Sequence, residues 1–189
     1  MRIIAGHARG RPLKAPPGRN TRPTPDRVRE ALFSRLGAFV ADAIVLDLFA
    51  GTGALGLEAR SRGAMKVILV EEARVALVAL RHNVAVVGLS NISVLALPAH
   101  LALRKLAQGN ERFDLVFLDP PYQSSHLETA LASLVDLDLL RPNALIVCEH
   151  HAKYELLPPP AYALCHCHRY GDVALSTLTR RPKSPTSTR

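Results

Sequence analysis

The stretch "AIVLDLFAGTGALGLEARSRG", residues 43–63, sets the reading of the whole chain. Residues 43–50 are apolar with one exception, which fits a strand buried on both faces. The exception is Asp47. Glycines 51, 53 and 56 follow at the spacing G-x-G-x-x-G, and residues 54–63 read as a helix closed by Gly63. Strand, glycine turn and helix in that order open an α/β fold whose ligand lies beyond the strand's carboxyl end. The glycines let the backbone turn tightly and approach that ligand.

The same alternation continues along the chain. Strands are expected at 66–71, 92–97, 112–119 and 143–150, with helices at 71–88, near 99–108 and near 125–138 between them. Apolar strands separated by amphipathic helices predict a parallel sheet covered on both faces. After "LPPP" at 157–160, a spacer, the pattern becomes two strands, 162–170 and 172–180, joined at Gly171-Asp172. The sheet is therefore mixed at one edge. Ahead of it, residues 1–18 read as a hairpin broken by Gly6 and Gly10. A helix follows, with Thr24 as cap, Pro25 and Asp26 in its first turn, and Val28, Ala31, Leu32, Leu36 and Phe39 on one face. The expected division is an N-terminal extension over 1–40, a main domain over 41–181 and a disordered tail over 182–189.

Charge is unevenly placed. The chain has 189 residues and a formal net charge of +8. Residues 1–35 carry +7 and residues 180–189 carry +4, leaving −3 for the body. A basic segment on a slightly acidic body suits a polyanionic partner, because neutralised phosphates release counterions. Arg9, Arg11, Arg22, Arg27 and Arg29 are the expected nucleic-acid ligands. Apolar residues at 48% and charged residues at 21% fit a globular protein, no apolar run suits a membrane span, and three cysteines form no disulfide framework. A cytoplasmic monomer is expected. In "CHCHR", strand alternation sets Cys165 and Cys167 on one face and His166 and His168 on the other, so no metal site is expected.

Asp47 and Glu71 specify the ligand further. Glu71 ends the second strand, where an acid can accept from ribose hydroxyls. The glycine fingerprint alone does not separate nicotinamide dinucleotides from other adenosine cofactors. Asp47, at the end of the first strand, would oppose a pyrophosphate and welcome a cation. S-adenosylmethionine has an ammonium, a sulfonium and a ribose, and Asp47, the Gly51/Gly53 turn and Glu71 suit it. The alternative is that Asp47 only caps the following helix.

A second acid stands at a strand end in "FDLVFLDPPYQSS", residues 113–125. An aromatic amine is a poor nucleophile because its lone pair is delocalised into the ring. Asp119 and a backbone carbonyl fixed by Pro120 and Pro121 can accept both amine hydrogens and favour a pyramidal nitrogen. Tyr122 offers a flat face for a flipped base.

"DPPY" resembles the (Asp/Asn)-Pro-Pro-(Tyr/Phe) motif of S-adenosylmethionine-dependent amino methyltransferases. Together with "VLDLFAGTGALGLEA" and "MRIIAGHARGRPLKAP…TRPTPDRVREALF", it makes the chain similar to the RsmD-type bacterial 16S rRNA guanine-N2 methyltransferases, as far as "YGDVALSTL". The resemblance implies the class I methyltransferase sheet, order 3-2-1-4-5-7-6 with the last strand antiparallel. It also implies methylation of one guanosine in the small ribosomal subunit. Carried over by position, Asp47, Phe49, Ala50, Gly51, Thr52 and Gly53 would lie along the cofactor, and Glu71 at its ribose. Asp119, Pro120, Pro121 and Tyr122 would form the transfer corner, and the segment from Arg22 to Arg29 would meet RNA. Two departures stand out. Phe49 replaces the first glycine of the broader methyltransferase loop, and "ALPAHLAL" lacks the acid that many such enzymes offer to adenine, leaving backbone groups or His100. The rival readings are a methyltransferase acting on DNA adenine or cytosine or on protein glutamine, and an RNA-binding protein without catalysis. A nicotinamide-dependent dehydrogenase leaves the diproline corner unexplained.

Overall fold

The structure is a computed structural model, described here for residues 1–16, 25–121 and 126–181. Tyr122, Arg22, Thr24 and the tail over 182–189 lie outside the described residues. The strands are β1 (Ile44–Asp47), β2 (Lys66–Val70), β3 (Ile92–Leu95), β4 (Phe113–Leu118), β5 (Leu140–His151), β6 (Tyr162–Tyr170) and β7 (Val173–Arg180). The helices are α1 (Asp26–Leu36), α2 (Ala54–Ser61), α3 (Arg74–Val87), α4 (Ala99–Gln108) and α5 (His126–Asp136). One seven-stranded sheet has the order β3-β2-β1-β4-β5-β7-β6, as the family resemblance implies. β1 to β5 run parallel, and β7 is antiparallel to both neighbours. The strand order reverses between β1 and β4, which places a crevice at their carboxyl ends.

Two cores sandwich the sheet. Val45, Val67, Leu69, Leu115, Phe117 and Val147 face α1, α2 and α3, whereas Leu46, Ile68, Val116, Leu118 and Ile146 face α4 and α5. This alternation fixes where the acids go. Asp47 follows Val45 by two residues, Glu71 follows Leu69, Asp119 follows Phe117, and the register adds Glu149 two beyond Val147. All four therefore lie on the same sheet face, Asp47 and Glu149 within their strands and Glu71 and Asp119 just past theirs. At the far edge, β6 has a bulge between Leu164 and His166 that interrupts the simple alternation expected for "CHCHR". Cys165 and Cys167 are exposed there, and the rings of His166 and His168 stack at 6.0 Å.

Among the described residues of the N-terminal extension, Ile3, Ala8, Leu13, Val28, Leu32 and Phe33 are buried in the first core. Phe33, not part of the expected apolar face, meets the Phe117 ring at 5.8 Å. The expected hairpin is short: Arg2 and Pro12 form an antiparallel bridge, the Ile3 amide donates to the Arg11 carbonyl at 3.0 Å and the Leu13 amide to the Met1 carbonyl at 3.0 Å. The buried Glu58 accepts from the amides of Ile4 at 2.7 Å and Ala5 at 3.1 Å, and the Ser61 hydroxyl accepts from the Ala8 amide at 2.9 Å. Gly6 adopts φ +83°, and a side chain there would come within 1.9 Å of the Ser61 carbonyl oxygen. Asn83 fixes the other end. Its amide nitrogen donates to the carbonyls of Lys14 and Thr52, both at 2.9 Å, and its oxygen accepts from the Lys14 amide at 2.8 Å. Asn83 on α3 thus joins the N-terminal segment to the glycine turn.

Arg29 corrects an expectation. Instead of facing RNA, it is fully buried, donating to the Arg2 carbonyl at 2.7 Å, the Asp26 carboxylate at 2.8 Å and the Ala54 carbonyl at 3.4 Å. Helical spacing puts it on the same side as Val28 and Leu32, and its fork satisfies backbone oxygens that the docked N-terminus would otherwise strand. Removing it leaves those oxygens buried without a donor. Arg29→Ala should lower unfolding free energy by about 2–4 kcal/mol, against less than about 0.5 kcal/mol for the exposed Arg27→Ala, measured by urea denaturation.

Candidate active site

A cleft of about 860 Å³ opens at the carboxyl ends of β1, β2, β4 and β5. It brings together the expected Asp47, Phe49, Ala50, Gly51, Thr52, Glu71, Asp119, Pro120 and Pro121. Gly53 lies just behind, at φ +80°, where a side chain would run into Leu80 at 2.5 Å. Gly51 has φ +53°, and Gly56 is pressed on Leu69 at 2.3 Å from where its Cβ would be. The first two glycines are thus demanded by backbone conformation and the third by the approach of α2 to the sheet.

Asp47 is 2% exposed and accepts from the Gly56 amide at 3.0 Å. It does cap α2, from the strand below rather than from the chain just ahead of the helix. Burial, opposed by the Gly56 bond and reinforced by Glu71, pushes its pKa up to about 7. Glu71 accepts from the amides of Gly51 at 2.8 Å, Glu72 at 2.9 Å and Ala73 at 2.8 Å. It therefore shapes the glycine turn and the start of α3, and a carboxylate retains further acceptor capacity for a ligand hydroxyl. Asp119 sits at the floor of the cleft. Burial first, then the charges of Glu149 and Asp47, hold its carboxyl well above the usual carboxylate range.

Five carboxylates line this cleft: Asp47, Glu71, Glu72, Asp119 and Glu149. Among the described residues, no lysine or arginine lines it. Such a surface repels a pyrophosphate and attracts a cation. Glu149 is a site residue that sequence reasoning missed. Its signal was present in "NALIVCEH", where an acid ends an apolar strand just as Asp47 and Asp119 do. His126, also missed, stacks on Phe49 with centroids 6.2 Å apart and planes 8° from parallel. Leu97 and Ala99 form an apolar wall beside β3's end, while His100 is exposed and does not line the cleft. Of the two alternatives left open for the adenine amino group, backbone groups or His100, the position of His100 does not favour the second. Ala15 and Pro16 bring the N-terminal segment to the rim.

The family model described as "Conserved hypothetical protein 95" matches residues 1–179. "Ribosomal RNA small subunit methyltransferase D" of Escherichia coli (strain K12) is 41% identical over 181 residues, 95% of this chain and 90% of that protein. The chain belongs to this methyltransferase family. The Haemophilus influenzae protein of the same name is 38% identical over 87% of this chain and 86% of its own length. Among solved structures, the Escherichia coli family relative yhhF superposes with a TM-score of 0.83 at 39% identity, covering 95% of this chain and 97% of that one. A more distant protein, SMU.776 complexed with SAH, shares the fold alone, with a TM-score of 0.65 at 16% identity over 81% of this chain and 48% of that one.

Of the five arginines expected at a nucleic-acid surface, Arg9 and Arg27 are exposed. Arg11 is also at the surface, but its guanidinium donates to the carbonyls of Val86 and Val87, the latter at 2.7 Å, closing the carboxyl end of α3. The acidic cleft has its own consequence for stability. The folded state holds the Asp47 proton more tightly than the unfolded chain does, so this group's contribution is fully present at low pH and is lost as pH rises from about 3.8 through about 7. Asp47→Asn keeps an acceptor for Gly56 and removes the charge. Its stability advantage over the wild type should grow by on the order of 2 kcal/mol between about pH 5 and pH 8, measured by chemical denaturation across that range.

Proposed function

We propose that the protein transfers a methyl group from S-adenosylmethionine to the exocyclic N2 amine of a guanosine in 16S rRNA, on an assembled or partly assembled small subunit. The observation behind this reading is the row of carboxylates beside the Asp119-Pro120-Pro121 corner, in a cleft whose described lining offers no lysine or arginine. The residues fit the cofactor. Asp47 suits its cationic amino-acid end, the amides and close backbone of residues 50–53 suit the chain between amino acid and ribose, and Glu71 retains acceptor capacity for ribose hydroxyls. Leu97 and Ala99 suit an adenine face, so here recognition of the adenine amino group falls to the backbone. When bound, the cofactor supplies an electrophilic methyl group on a sulfonium.

The chain's own residues prepare the acceptor. Asp119 and the backbone carbonyl held by the two prolines accept the amine hydrogens, which localises the nitrogen lone pair and orients it. The methylated amine is acidic and gives up one proton, for which Asp119, with its raised proton affinity, is a suitable acceptor. Tyr122 serves as the stacking face for the flipped base. The names of the relatives, ribosomal RNA small subunit methyltransferase D, support the RNA class. The exposed Arg9 and Arg27, with Arg22, are the phosphate contacts in this reading, and the enzyme acts as a cytoplasmic monomer.

Transfer of labelled methyl to small subunits from cells lacking the protein, to naked rRNA, to duplex DNA and to bulk protein tests the substrate. Label in N2-methylguanosine from subunits is the expected result, and label confined to DNA or protein would overturn it. Asp119→Ala should cut turnover by roughly 10²-fold or more while leaving cofactor affinity within a few fold, by single-turnover kinetics and calorimetry. Replacing Arg9, Arg22 and Arg27 with alanine should weaken RNA binding and reduce the salt slope by about one unit for each phosphate that is no longer neutralised. The wild-type slope in that variant would remove these residues from the interface.

A further inference from the structure

Glu149 ends an apolar run on β5, one strand away from Asp119. Phe117 pairs with Val147 and Leu118 with Cys148, so the next step along both strands sets Asp119 level with Glu149. The shared alternation turns both to the same sheet face, and both line the same cleft. Glu149 is 4% exposed. Two acids facing one small volume repel each other when both are ionised, as the effect of Glu149 on Asp119 reflects. A ligand with two adjacent N–H donors relieves that repulsion by giving one to each.

Base chemistry narrows the ligand. Guanine presents its N2 amine and its N1–H side by side on one edge. In adenine the atom beside the N6 amine on that edge is N1, an acceptor, and in cytosine the atom beside the N4 amine is N3, also an acceptor. A second carboxylate next to the transfer acid would set lone pair against lone pair with either of those bases. With guanine it meets a donor. We propose that Glu149 selects the base, its carboxylate accepting the N1–H of the target guanine while Asp119 accepts from the N2 amine beside it. The proposal rests on the reading of guanosine N2 as the methyl acceptor, and it assigns the choice of base to one residue. No bond is made or broken at Glu149.

The test separates base recognition from support of the fold. Small subunits are reconstituted with rRNA bearing either guanosine or 2-aminopurine ribonucleoside at the target position, and are offered to the wild type and to Glu149→Gln with labelled methyl donor. 2-Aminopurine keeps the amine but puts a lone pair at N1, so the wild type should prefer guanosine by about 10²-fold or more in kcat/KM. The glutamine amide can donate to that lone pair. Glu149→Gln should lose roughly 10- to 100-fold on guanosine while its preference for guanosine over 2-aminopurine falls at least about 10-fold. Equal losses on both bases would make Glu149 a support of the fold and overturn the proposal alone. A wild type that labels guanosine nowhere at N2 would overturn the substrate reading and the proposal with it. Glu149→Asp covers a glutamine variant that does not fold: it should keep the preference at a reduced rate, and losing the preference would count against Glu149 as the reader.

Discussion

The bond from the Gly56 amide to the Asp47 carboxylate ties the first strand to the helix above it, and the glycine turn between them takes its shape from that closure. Gly56 has no side chain because Leu69, Val67 and Asp47 occupy the space one would need. With α2 held so close to the sheet, Asp47 is buried, and burial raises its proton affinity toward neutrality. One short contact thus links backbone packing to the electrostatics of the cleft. A buried acid capping a helix would be stable enough with an uncharged side chain in its place. An aspartate at this position suits a positive charge arriving beside it.

The same logic extends across the sheet. Four strands present acids to one face, at or near their carboxyl ends, because each acid lies two residues beyond a core residue of that face. Like charges gathered in this way destabilise the empty cleft and favour ligands that neutralise them or donate hydrogen bonds to them. A sulfonium cofactor does the first, and the guanine edge proposed above, with its two adjacent donors, would do the second. The acidic floor and the basic N-terminal segment are therefore complementary. The first suits a cation, and in the proposed function the second would meet the phosphate backbone of the RNA.

The N-terminal segment is held by buried polar groups as well as by the bonds of its own short hairpin. Glu58, Ser61, Asn83 and Arg29 each bond its backbone from inside the protein. Such a network gives little net stability per bond but leaves unsatisfied groups if any member is removed. It also brings Ala15 and Pro16 to the cleft rim. Of the basic residues in this segment, Arg29 and Arg11 therefore serve the fold, and Arg9 and Arg27 face outward.

Much of this was legible in the sequence, because it depends on local pattern. Apolar runs ended by glycine turns gave the strand–helix order, and Asp47, Glu71 and Asp119 announced themselves as acids at strand ends. The residues between Gly51 and Gly56 declared a tight turn by their spacing. What remained hidden depends on which distant residues meet. Glu149 carries the same local signal as Asp119, but only the pairing of β4 with β5 shows that the two acids face one volume. Arg29 looked like one of a cluster of basic side chains, and only the docking of Arg2 and Ala54 around it made it a core residue. His100 stood beside backbone groups as one of two alternatives for adenine, and only the fold shows it exposed away from the cleft that Leu97 lines. Sequence determines periodicity, turns and the chemistry each residue can offer. The assignment of that chemistry to ligand or to fold is made by long-range contacts, because burial and neighbouring charge decide what a side chain can still bind.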